Sequence, residues 1–509
     1  MHRVDGYLPI ADHGLIGDGA SAALVGRDGA ITWLCAPRFD SPPVIAGLLD
    51  RRHGGTWSVA PEGLVESAQR YEEDTGILVT RQRAPEGTIQ VTDFMALRSG
   101  ADLSEDAPAG RGELVRIVDV LDGQVRLRTE LSMLGGARVD RAGSGLRLRP
   151  RRMPESDFYL AATLPLESSA TALHLRAGDR LAMILRWSGG SLRWHSTPPE
   201  ALLAATRASW RRWASGIRYE GPHRSLVTRS ALTLKLLDYV GNGALVAAPT
   251  SSLPEAIGGP RNWDYRYVWV RDAAFSVYAL RRINLHRESW YFLGWVLELL
   301  ERHGEPRIMY DVLGDAPAPE RADSELEGYR ASAPVRWGNA AAGQLQHDVY
   351  GEIVDCAYQW TRRGRAIDHV LWEAICALVE QAGRAWRTPD NGIWEVRSAP
   401  RPFTYSAALC QVALDRGAWL AAARGDAERS RRWRHLADAV AAEILEQAWD
   451  PEIASLVEHV GGGGGLDASL LALPLRRVVP VDHPRRVATT RAVRERLDAG
   501  SGLLYRYLP

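Results

Sequence analysis

The chain has 509 residues, and its 62 lysines and arginines balance its 62 aspartates and glutamates, so the formal net charge is zero. This balance excludes the overall basic field that non-specific binding to nucleic acid or anionic membranes requires. The length exceeds what one hydrophobic core normally serves, so two or three domains are expected. The four cysteines, Cys35, Cys356, Cys376 and Cys410, are far apart, which argues against a zinc site and a disulfide scaffold. We predict no metal and no cofactor.

The N-terminal residues 1–19, MHRVDGYLPIADHGLIGDG, carry charges and glycines where a signal peptide needs an unbroken apolar core. No later run approaches the ~20 apolar residues of a membrane span. We therefore predict a soluble, cytoplasmic protein with reduced thiols and with neither a membrane nor a nucleic-acid partner. A homo-oligomer remains open.

Residues 1–195 consist of short apolar runs cut by turn signals. The tripeptides RDG at 27–29, PEG at 85–87 and LDG at 121–123 stand between β-rich runs and predict hairpins. Their regular spacing predicts an N-terminal antiparallel β-sandwich over 1–195.

Helical periodicity begins after Pro198 and Pro199, which predicts a helical linker over 196–222 and a helical domain over 223–509. The pairing of its helices suggests a toroid, so the fold class is multidomain α+β. The predicted helices are 225–240, 272–283, 286–303, 340–362, 367–386, 403–423 and 429–447, with two more starting near Leu466 and Pro484.

An aromatic stretch at 262–275 reads NWDYRYVWVRDAAF. In an extended chain Tyr265, Trp269 and Arg271 share one side, and Asp272 is placed to cap a following helix. Aromatic rings beside a bidentate donor and a carboxylate suit a sugar, whose C–H face stacks on a ring and whose hydroxyls need polar partners. The competing interpretation is a half-buried strand with a structural Arg-Asp pair.

The best candidate for a catalytic acid is Glu395, in PDNGIWEVR at 389–397. Cleavage of a glycosidic bond needs two carboxyl groups, of which one must be protonated. The turn before Ile393 and Trp394 places Glu395 beside apolar bulk, which should raise its pKa. Competing carboxylates by residue type are Glu255, Glu325, Glu327 and Glu352.

The segment RWGNAAAGQ at 336–344 combines polar and small residues. Asn339 stands at a predicted helix start, and Gln344 directs polar groups the same way one turn later. The alternative interpretation is a tightly packed helix of small residues.

Several segments together resemble family 15 of the glycoside hydrolases, the glucoamylase and trehalase-like enzymes. They follow the family's order along nearly the whole chain: LIGDGASAALVGRDGAITWLCAPRFDSP, SLPEAIGGPRNWDYRYVWVRDAAF, PVRWGNAAAGQLQHDVYGE, DNGIWEVR and LDASLLALPL. The resemblance implies an N-terminal β-sandwich, a helical linker and an (α/α)6 toroid of the six-hairpin glycosidase type, whose loops form a sugar pocket.

The resemblance also implies roles for single residues. Arg271 and Asp272 would bind hydroxyls of the non-reducing-end glucose, with Tyr265 and Trp269 as pocket aromatics, and Glu395 would be the general acid.

Trp337, Asn339, Gln344 and Trp394 would line the same pocket. The family's general base lies in a motif near the end of the barrel, and the chain ends at SGLLYRYLP before any such motif. The base is therefore not found in this chain, and the toroid is expected to be incomplete.

These features predict an inverting, exo-acting α-glucoside hydrolase for a small neutral sugar. The substrate would be a glucose disaccharide or a short α-glucan, with trehalose slightly preferred over maltose-type sugars. The alternative is a catalytically impaired sugar-binding protein, or a fragment lacking the general base. A phosphorylase is disfavoured because no phosphate-cradling Gly-rich loop precedes a helix at the pocket motifs.

Overall fold

The computed structural model describes residues 3–143, 145–187, 197–362 and 364–508. The chain forms two compact units. The first comprises Met1–Val268, Ala279–Tyr291 and Tyr310–Asn339, and the second comprises Trp269–Tyr278, Phe292–Met309 and Ala340–Pro509. The expected boundary at 195/196 falls within 188–196, outside the described residues, and the three-part division stays a prediction.

The first unit contains one large sheet whose strand pairs with a defined register are all antiparallel. Its strands are β1 His13–Gly17, β2 Ala22–Gly26, β3 Ala30–Cys35, β4 Pro43–Ile45, β5 Trp57–Pro61, β6 Glu66–Tyr71, β7 Leu78–Ala84, β8 Gly87–Leu97, β9 Gly110–Leu131, β10 Ala137–Ala142, β11 Gly145–Pro150, β12 Phe158–Ala162, β13 Ala170–Arg176 and β14 Arg180–Arg186. The long β9 is the central strand of the sheet, since it pairs with β5, β8, β13 and β14. The antiparallel pairing expected of an N-terminal β-sandwich is confirmed, and its arrangement as two packed layers stays a prediction.

Two of the three predicted hairpins are confirmed. RDG joins β2 to β3, with Gly29 at φ 86° and so close to the Val59 carbonyl that a Cβ would lie 2.1 Å from its oxygen. PEG joins β7 to β8.

The LDG hairpin is wrong, because β9 runs through it without reversing. The register against β8 shifts by one residue at Leu121, and Gly123 adopts φ 67° there. A β-bulge uses the same left-handed glycine as a tight turn.

The helices are α1 Pro199–Ala214, α2 Arg224–Lys235, α3 Val270–Arg282, α4 Arg287–His303, α5 Asp348–Thr361, α6 His369–Ala385, α7 Thr404–Ala423, α8 Ala427–Gln447 and α9 Pro484–Arg496. Short strands join or flank them: β15 Asp238–Tyr239, β16 Ala244–Leu245, β17 Ser251–Pro254, β18 Asn262–Asp264, β19 Val268–Trp269, β20 Met309–Tyr310, β21 Arg321–Asp323, β22 Val335–Trp337, β23 Trp449–Asp450, β24 Ser455–Leu456, β25 Asp498–Gly500 and β26 Leu503–Leu504. A mainly helical part therefore follows the sheet, as expected.

Two predicted helices are too long. The helix expected over 225–240 ends at Lys235, because Asp238–Tyr239 pairs as a strand with Ala244–Leu245. The helix expected over 340–362 is a 3-10 turn at Ala340–Gly343 and a helix that begins only at Asp348. Residues 344–347 lie between these two elements, and their side chains can contact other segments.

The start predicted near Leu466 is a 3-10 helix at Ala468–Ala472, and the one predicted near Pro484 is α9. The helix α7 is the centre of the second unit. Its residues are buried on nearly every side, and it packs against α5, α6 and α8. No helix in the part of the chain that the structure describes is long and apolar enough to cross a membrane.

Candidate active site

The aromatic stretch does not form the continuous strand expected from its alternation. The strands β18 and β19 are separated, and α3 begins at Val270, whose N–H donates to the carbonyl of Ile308. Arg271 therefore lies in the first turn of a helix and not on the face of a strand. Asp272 is the third residue of α3, so its expected role as the helix cap is wrong.

Arg271 occupies a largely buried position in the second unit and makes directed contacts. Its Nη1 donates to Gln346 Oε1 at 2.8 Å and to Asp348 Oδ2 at 2.7 Å. Its Nη2 donates to the Ile393 carbonyl at 3.2 Å and lies 3.5 Å from Glu395 Oε1. A planar guanidinium suits such a fork of acceptors. The sequence did not single out Gln346 or Asp348.

Glu395 lies next to this guanidinium. Its side chain is 16% exposed, and its backbone adopts φ 56°, which non-glycine residues rarely do. Burial raises the pKa of Glu395 to about 6, against the lowering effect of the Arg271 charge and of a hydrogen bond from Trp269. The negative charge of Asp272 raises the pKa further. The desolvation expected from the sequence is confirmed.

The loop that carries Glu395 is held in place by contacts of Asp390 and Gly392. Asp390 is fully buried, accepts the N–H groups of His347 and Gly392, and pairs by its backbone with Arg401. Burial raises the pKa of Asp390 to about 7. The left-handed Gly392, at φ 64°, lies so close to Phe403 that a Cβ would sit 2.8 Å from its ring.

Trp394 is anchored by its indole. Its Nε1 donates to Asp467 Oδ1 at 3.0 Å, and the ring lies near the Arg506 guanidinium and the Tyr507 ring. Asp467 is buried and also accepts the N–H of Ser469, and burial raises its pKa. The segment LDASLLALPL therefore contributes a side chain that holds the residue just before Glu395.

Gln344 reaches the same loop. Its Nε2 donates to the carbonyls of Val396 at 3.2 Å and Glu395 at 3.4 Å, while its Oε1 accepts from Gln346 at 3.1 Å. The structure thus brings Trp269, Arg271, Asp272, Gln344, Trp394 and Glu395 together in the second unit.

Tyr265, Trp337 and Asn339 belong to the first unit. Tyr265 is half-buried, and the Asn339 amide donates to the Asp264 carbonyl at 3.1 Å. Trp337 is buried in an apolar cluster next to Trp33, and its Nε1 donates to an Asp323 oxygen at 2.9 Å.

Among the competing carboxylates, Glu352 is the one in the second unit. It is buried and pairs with Arg476, 2.5 Å away, and burial raises its pKa to about 7. Arg476 also pairs with Asp355 one turn further along α5. Glu352 therefore belongs to a buried charge network between elements.

The other three competitors belong to the first unit and carry polar partners. Glu255 pairs with Arg261, Glu325 with Arg152, and Glu327 accepts from Tyr7. In the described part of the chain, no group of three His, Cys, Asp or Glu residues could hold a metal ion.

Gln346, Asp348 and Asp467 are the residues that sequence reasoning missed. The first two stand in QLQHD at 344–348, where Gln344, Gln346 and Asp348 alternate with Leu345 and His347. In an extended segment, alternate side chains lie on the same side. This alternation was the available signal, but the helix expected over 340–362 hid it.

Comparisons with known proteins identify the families and relatives that this chain resembles. The family described as Glycosyl hydrolases family 15 matches residues 221–507, and a Trehalase-like, N-terminal family matches residues 5–131. A trehalase of Mycolicibacterium smegmatis is 35% identical over 98% of this chain and 79% of its own length. A trehalase of Thermoplasma volcanium is 31% identical over 99% of this chain and 81% of its own length.

A solved structure of a bacterial glucoamylase complexed with acarbose has the same fold. It superimposes with a TM-score of 0.68 at 13% identity, covering 95% of this chain and 78% of its own.

Proposed function

We propose that this chain, which belongs to family 15 of the glycosyl hydrolases, hydrolyses trehalose by an inverting, exo-acting mechanism. The observation that carries the proposal is Glu395, a largely buried carboxyl with its pKa raised to about 6 beside the Arg271 guanidinium. The curated relatives cited above are trehalases, which favours trehalose over maltose-type sugars as the substrate.

Glu395 is the general acid in this proposal. In its protonated form it donates to the glycosidic oxygen as the bond to the anomeric carbon breaks, while water attacks from the opposite face. One molecule of trehalose and one of water then give two molecules of glucose. Activation of the water needs a second carboxylate, to which we assign no residue.

Arg271 and Asp272 bind hydroxyls of the terminal glucose in the same proposal, because charge-assisted hydrogen bonds suit a ring of hydroxyl groups. The family resemblance assigns further sugar-binding positions to Tyr265, Trp269, Trp337, Asn339, Gln344 and Trp394, of which Trp269, Gln344 and Trp394 belong to the same unit as Glu395. We also propose that the helices of the second unit are part of an (α/α)6 toroid, the arrangement that the family resemblance implies.

Product analysis tests the reaction. Incubation with trehalose, maltose and isomaltose, followed by proton NMR of the first-formed products, distinguishes the stereochemical outcomes. Inversion on trehalose gives equal amounts of α- and β-glucose at early times, because one anomeric centre is inverted and the leaving glucose keeps its own. Retention gives α-glucose alone and would contradict the mechanism. Calorimetric binding of trehalose without turnover would instead favour the alternative of a catalytically impaired sugar-binding protein.

The pH dependence of kcat/KM should show the titration of Glu395. Its pKa is raised to about 6, and only the protonated form can donate, so the rate is highest below that pH as far as this group is concerned. Above it, kcat/KM should fall about tenfold per pH unit as the carboxyl ionises. Initial rates between pH 4 and 9 measure this decline, which is the basic limb of the pH profile. A rate that stays constant to pH 8 would contradict the role of Glu395.

Asp272→Asn should weaken binding with little loss of stability. Loss of a charge-assisted hydrogen bond to the sugar costs about 1.5–3 kcal/mol. Because the Asp272 charge raises the pKa of Glu395, the basic limb of the pH profile should also move to lower pH. Calorimetry with trehalose and the pH profile measure the two effects. Wild-type affinity with a clearly lowered melting temperature would show a structural Arg-Asp pair instead.

A further inference from the structure

A continuous chain of side-chain hydrogen bonds connects Arg271 to the backbone of Glu395. Arg271 Nη1 donates to Gln346 Oε1 at 2.8 Å, and Gln346 Nε2 donates to Gln344 Oε1 at 3.1 Å. Gln344 Nε2 then donates to the carbonyls of Val396 and Glu395. The two groups on which the proposed reaction depends are thus joined through two glutamines as well as by their direct contact of 3.5 Å.

The direction of this chain is fixed by chemistry. A backbone carbonyl only accepts, so Gln344 must turn its Nε2 toward Glu395, which leaves its Oε1 to accept. Gln346 must then present Nε2 to Gln344, and its Oε1 faces Arg271, which only donates. Each amide consequently has one orientation, assigned from the network. A chain of bonds that all run the same way is mutually strengthened by polarisation.

The series of hydrogen bonds ends at a residue with an unusual backbone conformation. Glu395 has φ 56°, and a non-glycine residue keeps such a conformation only where its surroundings over-determine it. Gln344 holds the carbonyl of Glu395 and that of Val396, and Asn391 Nδ2 also donates to the Val396 carbonyl at 3.3 Å. Both N–H groups of the Gln344 amide are therefore directed at the loop.

We propose that Gln344 and Gln346 are positioning residues, which orient the general acid Glu395 relative to Arg271 without themselves binding the sugar. The inference rests on the proposed function, and it replaces the pocket-lining role for Gln344. Gln346 is 2% exposed, which is consistent with a role inside the protein.

The consequence for catalysis follows from geometry and charge. Proton donation depends on sub-ångström placement, and a misplacement of about 1 Å can cost ~100-fold in rate. Because the Arg271 charge lowers the pKa of Glu395, releasing the guanidinium from Gln346 should let that pKa rise. A side chain with only a structural role would not move the pKa of the acid.

The test compares Gln346→Met and Gln344→Met, which keep the side-chain length and remove the amide. Each should lower kcat by about 10- to 100-fold with less than about twofold change in KM, and should shift the basic limb to higher pH. The double variant should be little worse than the more damaged single variant, since one break already interrupts the chain. The exposed Gln447→Met, on α8, is the matched control and should behave as wild type.

A rise in KM with unchanged kcat would show that the glutamines bind the sugar, and would overturn the inference. The inference would also be overturned if the glutamine variants had a lowered melting temperature but the same basic limb of the pH profile as the wild type. Carbon-13 NMR titration of Glu395 separates this inference from the proposed function. A higher Glu395 pKa in Gln346→Met supports the positioning role even where the wild-type chain releases no glucose from any of the three sugars, the result that would refute the proposed function alone.

Discussion

Glu395→Gln is expected to lower kcat on trehalose by ~10²–10⁴-fold, because the amide cannot donate a proton to the leaving oxygen. Ground-state affinity should change little, since the acid acts chiefly in the transition state. Single-turnover rates and calorimetry on the same preparation measure the two quantities. A variant with more than half of the wild-type kcat would contradict the assignment.

Two controls make this result specific. α-Glucosyl fluoride has a leaving group that needs no protonation, so its hydrolysis should survive Glu395→Gln far better than that of trehalose. Glu352→Gln makes the same substitution at a competing carboxyl in the second unit. Because Glu352 is buried against Arg476, loss of its carboxylate should lower the free energy of unfolding and leave kcat nearly unchanged. The reverse pattern would identify Glu352 as the acid.

Local signals in the sequence predicted the features that a few neighbouring residues determine. RDG and PEG predicted true hairpins, and most helix ends fell within three residues of those observed. LDG failed because a bulge inside a long strand requires the same glycine conformation as a turn, and only the neighbouring strand β8 distinguishes the two. The helix expected through 344–347 failed because the side chains of Gln344 and Gln346 bond to distant groups.

The candidate site shows the same division between local and distant causes. The apolar neighbours Ile393 and Trp394 led the sequence analysis to expect a raised pKa for Glu395, and burial raises it to about 6. The anchors of the site were not, because Asp348 is 77 residues from Arg271 and Asp467 is 73 residues from Trp394. Nothing in the local pattern of a carboxylate shows which distant donor it will meet.

Arg271→Met should have the largest combined effect on stability and activity. Asp348 is 1% exposed, and removing its cationic partner leaves an uncompensated buried charge, which costs about 3–5 kcal/mol. The pKa of Glu395 should rise further, because the Arg271 charge no longer lowers it. The sugar also loses the proposed guanidinium contact. Urea-unfolding midpoints and kcat/KM on trehalose measure these losses, and wild-type stability would contradict the burial argument.

The double variant Arg271→Met/Asp348→Asn separates the two consequences. It removes both charges, so the remaining cost is that of a buried amide without its best partner, about 1–3 kcal/mol instead of the cost of an unpaired charge. The double variant should therefore be more stable than Arg271→Met alone, by about 2 kcal/mol from the midpoints of the two ranges, while its activity stays lost. Recovery of kcat/KM together with stability would show that Arg271 serves only to neutralise Asp348, because a guanidinium that also binds the sugar cannot be replaced by removing the charge it pairs with.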